Sequence, residues 1–158
     1  MPRHSAKSSC SSQHDGARAE RHRHDQSVFH ALLAQHAGIS RSVTEIPGGI
    51  ETVTRAAGPE LVALLHDHVQ AMERRMAEGF GLRHWDPAFV EIFAQAEQVR
   101  MEVELLPDGV RVRETSEDPN VELLIRTHGG VVSAFVARGA KAAAQASPLP
   151  EAYRRVAS

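Results

Sequence analysis

Residues 101–113 read MEVELLPDGVRVR, in which apolar and charged side chains alternate on both sides of a Pro-Asp-Gly turn. A period of two is typical of a strand that has one face against a core and the other in solvent. Proline restricts the backbone at the turn, and Gly109 is expected to take the left-handed conformation there. The stretch therefore predicts a β-hairpin.

A second copy of this pattern lies sixty residues earlier in the chain. Residues 27–79 align with residues 87–139 without a gap, and eleven of the aligned pairs are identical. The identical pairs include prolines and glycines of the turns as well as His68 and His128. Because chance similarity between helices would not also align the turns, we interpret the chain as two tandem α-β-β-α repeats with pseudo-twofold symmetry.

Helices flank the hairpin in each predicted repeat. The first helix carries apolar residues at helical spacing, and the second is about 20 residues long with an apolar stripe on one side. Pro59 and Pro119 suit the start of the second helix, and Gly79 and Gly139 suit its end. The pattern predicts an α+β domain in which the two hairpins form one antiparallel sheet covered by helices.

The segments outside this domain, residues 27–139, differ from it in composition. Residues 1–26 are polar and rich in histidine, and we expect them to form a disordered tail. Residues 140–158 begin with an alanine-rich stretch, and we expect a C-terminal tail that adds a helical turn and frays.

Charge and hydropathy limit the classes of partner and location. A net charge of -2 and a pI of about 6.5 argue against a nucleic-acid-binding surface. The single cysteine, Cys10, cannot form an internal disulfide. No apolar run is long enough to span a membrane, and the N-terminus carries no apolar leader. The sequence predicts a cytoplasmic protein or, if the true start site lies elsewhere, an exported or periplasmic one.

Two histidines are the strongest candidates for chemistry. His68 and His128 lie in the apolar stripes of their helices, and they are the only ionisable residues that are identical between the aligned segments. Equivalent side chains on packed, pseudo-symmetric helices can meet near the axis. Burial favours the neutral imidazole, which is the form that binds a transition metal or a haem iron. The alternative interpretation is two buried histidines that each bind a carbonyl or carboxylate group.

Three further residues are candidate metal ligands. Met72 lies one helical turn after His68, Met101 begins the second hairpin, and His30 flanks the first helix. Imidazole together with thioether favours copper, especially Cu(I), over zinc or magnesium. Methionine in an apolar stripe is also a common core residue, so the thioethers alone do not predict a metal site.

Other polar residues near the repeats have simpler interpretations. We expect His36 to cap backbone carbonyls at a helix end and His66, two positions before His68, to be solvated. Glu114, Glu117 and Asp118 precede the last helix and are interpreted as partners of its dipole.

Known linear signatures of enzymes are missing from this sequence. It contains no phosphate-binding loop, no dinucleotide glycine pattern, no paired-histidine zinc protease helix and no nucleophile elbow. These observations favour a binding protein over an enzyme.

Several of these positions carry a resemblance to a group of uncharacterised bacterial proteins with duplicated helix-hairpin-helix units, which are often exported. The resemblance covers roughly residues 26–139. It rests on the residues Phe29 and His30, His68 with Met72, Met101, and His128 ahead of two valines. It implies shared His and Met positions and no known activity. The chain departs from the group at Gln95, where its members often carry histidine, and we expect it to lack their leader.

Three hypotheses follow for function. The first is a small non-catalytic copper protein that uses His68 and His128 with Met72, Met101 or His30. The second is a b-type haem protein with the two histidines as axial ligands. The third is an interaction scaffold without a cofactor, which docks an unknown protein partner through outward side chains of the hairpins. These side chains are Glu102, Glu104, Arg111 and Arg113.

Overall fold

The computed structural model describes residues 9–79 and 81–157. The described helices are α1 (Ser9–Ala34), α2 (Pro59–Glu78), α3 (Pro87–Ala94), α4 (Pro119–Arg138) and α5 (Ala140–Ala143). The described strands are β1 (Ile39–Ile46), β2 (Gly49–Ala56), β3 (Arg100–Leu106) and β4 (Gly109–Thr115). The predicted α+β class is confirmed.

The two hairpins join into one four-stranded antiparallel sheet with the strand order β1-β2-β4-β3. β2 and β4 are the central strands, and Thr52 lies opposite Val112 at the middle of their ladder. The prediction of a single antiparallel sheet is therefore confirmed.

The faces of the sheet differ in polarity, as the period of two requires. Alternate residues of the central strands are buried against the helices, among them Ile50, Val110 and Val112. The opposite face carries ion pairs between Arg111 and Glu104 and between Arg113 and Glu51, each 2.7 Å long. Glu104, Arg111 and Arg113 therefore point outward, as expected.

The second hairpin turn differs from the prediction. Gly48 has a φ of 82° in the first turn, whereas Gly109 is not among the residues with positive φ. Gly109 is the first residue of β4, and a Cβ there would overlap the carbonyl oxygen of Thr54 on β2. Gly49 stands in the same relation to the carbonyl oxygen of Glu114. These two glycines thus permit close approach of the central strands rather than a left-handed turn.

The aspartates that precede α3 and α4 have different hydrogen-bond partners. Asp118 caps α4, because its side chain accepts a hydrogen bond of 2.8 Å from the amide of Asn120. Asp86 precedes α3 but makes no such bond, and its carboxylate binds Arg83 and Ser147 instead.

The N-terminal segment is helical where disorder was expected. α1 begins at Ser9, and the first residues of the chain, 1–8, lie outside the described residues. Asp25 is buried and binds Arg75 of α2 at 2.7 Å, while His24 binds Asp67 at 2.8 Å. These contacts with α2 hold the last part of the predicted tail in the helix.

The C-terminal segment adds α5 and then packs on the domain instead of fraying. Tyr153 is buried in a cluster with Ile92 and Val121. The amides of Val156 and Ala157 donate to the carboxylate of a buried glutamate in α3. No helix in the described part of the chain has both the length and the apolar character needed to cross a membrane.

Candidate functional site

A cavity of about 170 Å³ lies between the inner face of the sheet and helices α1 to α4. Most of its wall is apolar. The apolar side chains from α1 and α3 are Phe29, Leu32, Leu33, Phe89, Ile92 and Phe93. A concave apolar space with a few polar groups is the usual form of a binding site.

His68 and His128 both border this cavity. Both side chains are half-buried. Burial lowers the pKa of each from 6.5 to about 4, and nearby Asp25 and Asp67 oppose the shift at His68. At His128, Arg41 lowers the pKa further. Both imidazoles are therefore neutral at pH 7.

Phenylalanine rings position the two imidazoles. The ring of Phe29 stacks on His68 with centroids 5.8 Å apart, and the ring of Phe89 meets His128 edge-on at 5.0 Å. Phe135 of α4 contacts both phenylalanines, at 5.9 and 6.0 Å. The four helices thus fix the imidazoles through one continuous aromatic layer.

One nitrogen of this pair stands out. Nδ1 of His68 is buried and has no hydrogen-bond partner among the described residues. A buried polar atom without a partner costs about 1–3 kcal/mol, so proteins seldom keep one without a function.

Four of the five predicted metal ligands border the same cavity, namely His68, Met72, Met101 and His128. His30 does not. Its side chain is exposed and lines a separate surface groove, with its ring 6.1 Å from that of Phe29. Adjacent residues of a helix point about 100° apart, so His30 turns away when Phe29 points inward.

Glu114 borders the cavity, although its sequence position suggested a role at the start of α4. It lies on the inner face of β4, two residues after Val112 and opposite Met101 of β3. Burial raises its pKa, and no described residue donates a hydrogen bond to its carboxyl group. The alternation of Val110 and Val112 extends to Glu114 and was the signal that could have placed it.

Arg41 of β1 also borders the cavity and was not among the predicted site residues. Its Nε donates to Ser133 Oγ at 3.1 Å, and one terminal nitrogen donates to the Gly129 carbonyl at 3.3 Å. Burial lowers its pKa, and the charge of Glu114 opposes the shift. Arg41 thus joins the sheet to α4 and adds a cation to the cavity wall.

Two other histidines have structural partners. Nδ1 of His36 lies 2.8 Å from the carbonyl oxygen of Val136, in the last turn of α4, which agrees with the capping interpretation. His66 is half-buried rather than solvated, because its Nε2 donates to the carbonyls of Leu106 and Gly109 at 3.0 and 2.7 Å. His66 therefore fastens α2 to the turn of the second hairpin.

A second group of potential ligands is better explained as an ion-pair network. Ligand atoms of His24, Asp25 and Asp67 lie within 4.8 Å of one another, the only such trio of His, Cys, Asp or Glu in the described residues. Arg75 already donates two hydrogen bonds to Asp25, at 2.7 and 3.0 Å. Arg75 therefore competes with a metal cation for the carboxylate of Asp25.

Compared with protein-family models, with curated protein sequences and with solved structures, the chain has no significant match. Its function is therefore argued from its own residues.

Proposed function

We propose that this protein binds a transition metal ion, with copper favoured, in the cavity between its sheet and its helices. The observation that carries the proposal is the set of donors that border one cavity: the imidazoles of His68 and His128 and the thioethers of Met72 and Met101. Neutral imidazole is the ligand form, and burial keeps both histidines neutral. Soft thioether ligands select Cu(I) over harder cations.

The proposed site fits a duplicated chain. Thr52 and Val112 are sixty residues apart and lie opposite each other in the central ladder, which is where a pseudo-twofold axis would pass. His68 and His128 are also sixty residues apart, and each contacts the phenylalanine at the matching position. We infer two α-β-β-α repeats whose histidines approach the axis from both sides. The metal would lie close to that axis.

Haem is less well supported by the dimensions of the cavity. Sites for ligands of drug size occupy about 300–1,000 Å³. The cavity of about 170 Å³ falls below that range. The bis-histidine haem alternative would require the helices to separate from the sheet.

A small organic molecule is the second candidate, because the same volume is larger than one ion needs. An apolar cavity of about 150 Å³ can hold a benzene-sized molecule. Arg41 and Glu114 would supply polar contacts to such a ligand, since both border the cavity. An interaction scaffold without a cofactor remains the third hypothesis.

Anaerobic titration of the full-length, tag-free protein with Cu(I), against a chromophoric chelator, tests the metal proposal. We expect one tightly bound ion per chain. The double substitution His68→Leu with His128→Leu should lower the affinity at least about 100-fold, since removing even an outer-shell partner costs 10–100-fold. His24→Gln is the matched control, because it removes an exposed imidazole outside the cavity.

Equal copper affinity in the wild type and the double variant would contradict the proposal. A wild type that takes no Cu(I) but is stabilised by indole in a thermal melt would favour the small-molecule candidate. A ligand at 100 times its Kd should add about 2.7 kcal/mol to stability.

A further inference from the structure

Strand β1 leaves one edge of the sheet open. It pairs with β2 in an unbroken antiparallel ladder from Ile39 to Ile46, and no other described strand lies beside it. The strand contains neither a proline nor a bulge, and residues 42–45 are exposed. A long edge without such features is a template for pairing with a further strand.

The opposite edge of the sheet, β3, is protected by charge. Glu102 and Glu104 are exposed on its outer face. An antiparallel pairing of two β3 strands, centred on any of residues 102–104, places a glutamate opposite a glutamate. Like charges directly opposite each other destabilise a sheet. Of the two edges, β1 is therefore the one that can accept a second copy of itself.

The backbone of β1 determines which of its residues can pair across the open edge. The amide of Ala57 donates to the carbonyl of Gly38 at 2.9 Å. Hydrogen-bonded pairs alternate along an antiparallel ladder, so the even-numbered residues of β1 bond to β2. Arg41, Val43 and Glu45 consequently direct their amide and carbonyl groups away from the sheet.

The side chains of β1 select one antiparallel register between two copies. With Val43 on the twofold axis, Arg41 lies opposite Glu45 of the partner subunit, and Glu45 lies opposite the partner's Arg41. Moving the axis to residue 42 or 44 removes both charge pairs, and moving it to residue 41 or 45 places like charges opposite each other. Val43, a β-branched residue that is 42% exposed, would be covered by its own counterpart.

Both charges of this register lack an ion-pair partner within the subunit. Arg41 donates hydrogen bonds only to neutral acceptors among the described residues, on β2 and α4. The carboxyl group of Glu114 affects the pKa of Arg41 but forms no hydrogen bond with it. Glu45 is exposed and makes no ion pair with the described residues. A second copy would supply the counter-charge for both.

We propose that this protein forms a homodimer in which the β1 strands of two copies pair antiparallel about Val43 and join their sheets into one. The contact is isologous, so it closes at the dimer. Backbone hydrogen bonds form at Val43 and at both pairs of Arg41 with Glu45. A single strand pairing buries a small area, and we expect a Kd of roughly 1–100 μM. The inference does not depend on the proposed metal site.

Sedimentation equilibrium of the full-length protein, at concentrations on both sides of this range, tests the inference. We expect the wild type to pass from monomer to dimer. Glu45→Lys should weaken the dimer at least about tenfold, because it places a cation opposite each Arg41. Glu102→Lys is the matched control, with the same change of charge on the protected edge, and should leave the dimer unchanged.

Cysteine cross-linking tests the register in a Cys10→Ser background. Val43→Cys should form a disulfide between subunits under mild oxidation, because paired Cα atoms at this kind of position lie about 5.5 Å apart. Ser42→Cys should not, because its two copies would lie about 8 Å apart, beyond the reach of a disulfide.

Three outcomes would overturn the proposal. A wild type that stays monomeric at every concentration would exclude the dimer. Equal dimerisation of the wild type and Glu45→Lys, or equally fast cross-linking at residues 42 and 43, would exclude the register. A dimer that Glu102→Lys weakens as much as Glu45→Lys would have its contact at β3 instead.

Discussion

Asp86, which precedes α3, and Glu91 within α3 are fully buried, whereas Glu114 is half-buried beside the cavity, and the surroundings of these carboxylates are opposite. Both oxygens of Asp86 accept hydrogen bonds, from Arg83 and from the amide and hydroxyl of Ser147. The oxygens of Glu91 accept from two backbone amides at 2.8 and 2.9 Å. Glu114 accepts none from the described residues. Complete pairing indicates a structural role, and a cavity-facing group without partners indicates a binding role.

The histidines divide in the same way. His36 and His66 each bind backbone carbonyls and join elements of the fold. His68 and His128 border the cavity, and Nδ1 of His68 is without a partner. A stability experiment should therefore separate the structural group from the cavity group.

Asp86→Ala should produce the largest loss of stability. The substitution leaves the buried guanidinium of Arg83 without its counter-charge and frees the amide of Ser147. Removing one partner of a buried ion pair costs about 3–5 kcal/mol. Urea unfolding at pH 7 measures the loss, and the control Glu117→Ala, at an exposed acid, should change stability by less than about 0.5 kcal/mol. A loss of stability as small as that of Glu117→Ala would contradict the structural role of Asp86.

The pH dependence of stability should reveal the cavity histidines. Each has a pKa of about 4 in the folded protein against 6.5 when unperturbed. The unfolded chain binds more protons between these values, so stability falls as the pH drops below about 6.5. At 1.36 kcal/mol per pKa unit, the metal-free wild type should lose about 2 kcal/mol for each histidine between pH 7 and pH 5. His68→Leu should lose about 2 kcal/mol less than the wild type over this range, as judged from urea unfolding at both pH values. Equal losses of stability in the two proteins between pH 7 and pH 5 would show that His68 is protonated in the folded state as readily as in the unfolded chain.

The fold was predictable because its signals are local. The alternation around residues 101–113 and the prolines and glycines at helix ends identified both hairpins and the helices α2 and α4. The segment around Asp25 was interpreted as disordered because α1 there lacks an apolar stripe. Its helix is held by the pairing of Asp25 with Arg75, fifty residues away, which no local pattern reveals. The packing of the C-terminal segment on Glu91 is non-local in the same sense.

The candidate site was predictable only in part. Residues on apolar stripes, such as His68 and Met72, face the interior by periodicity, and the structure brings them to one cavity. His30 was included for its residue type although its helical position turns it away. Arg41 was not considered because a charged side chain on a strand is expected to face solvent, and Glu114 was interpreted as a partner of the α4 dipole from its place in the sequence. Their placement depends on which face of the sheet the helices cover.

Glu91→Gln should have a smaller and more local effect than Asp86→Ala. The neutral amide accepts weaker hydrogen bonds, and only one of its two terminal atoms can accept. We expect a loss of about 1.5–3 kcal/mol, the range for hydrogen bonds to charged groups. Hydrogen exchange at Val156 and Ala157 should accelerate while exchange in β2 and β4 changes little. Uniform acceleration across the sheet would show that the C-terminal segment is part of the main cooperative unit.

Glu114→Leu should do the reverse of the Asp86 and Glu91 substitutions and stabilise the protein slightly. No described residue hydrogen-bonds the carboxyl group, so the substitution removes the cost of burying it and breaks no bond. Leucine is also close to glutamate in size and can fill the space opposite Met101. We expect a gain of about 1 kcal/mol at pH 7. This gain is at the low end of the cost of burying an unpaired polar group, because the substitution also removes the negative charge that offsets the charge of Arg41. Glu114→Gln separates size from charge, and urea unfolding of both variants measures the effect. A clear loss of stability in both would mean that Glu114 has a structural partner after all, and the contrast with Asp86 and Glu91 would no longer distinguish binding groups from structural ones.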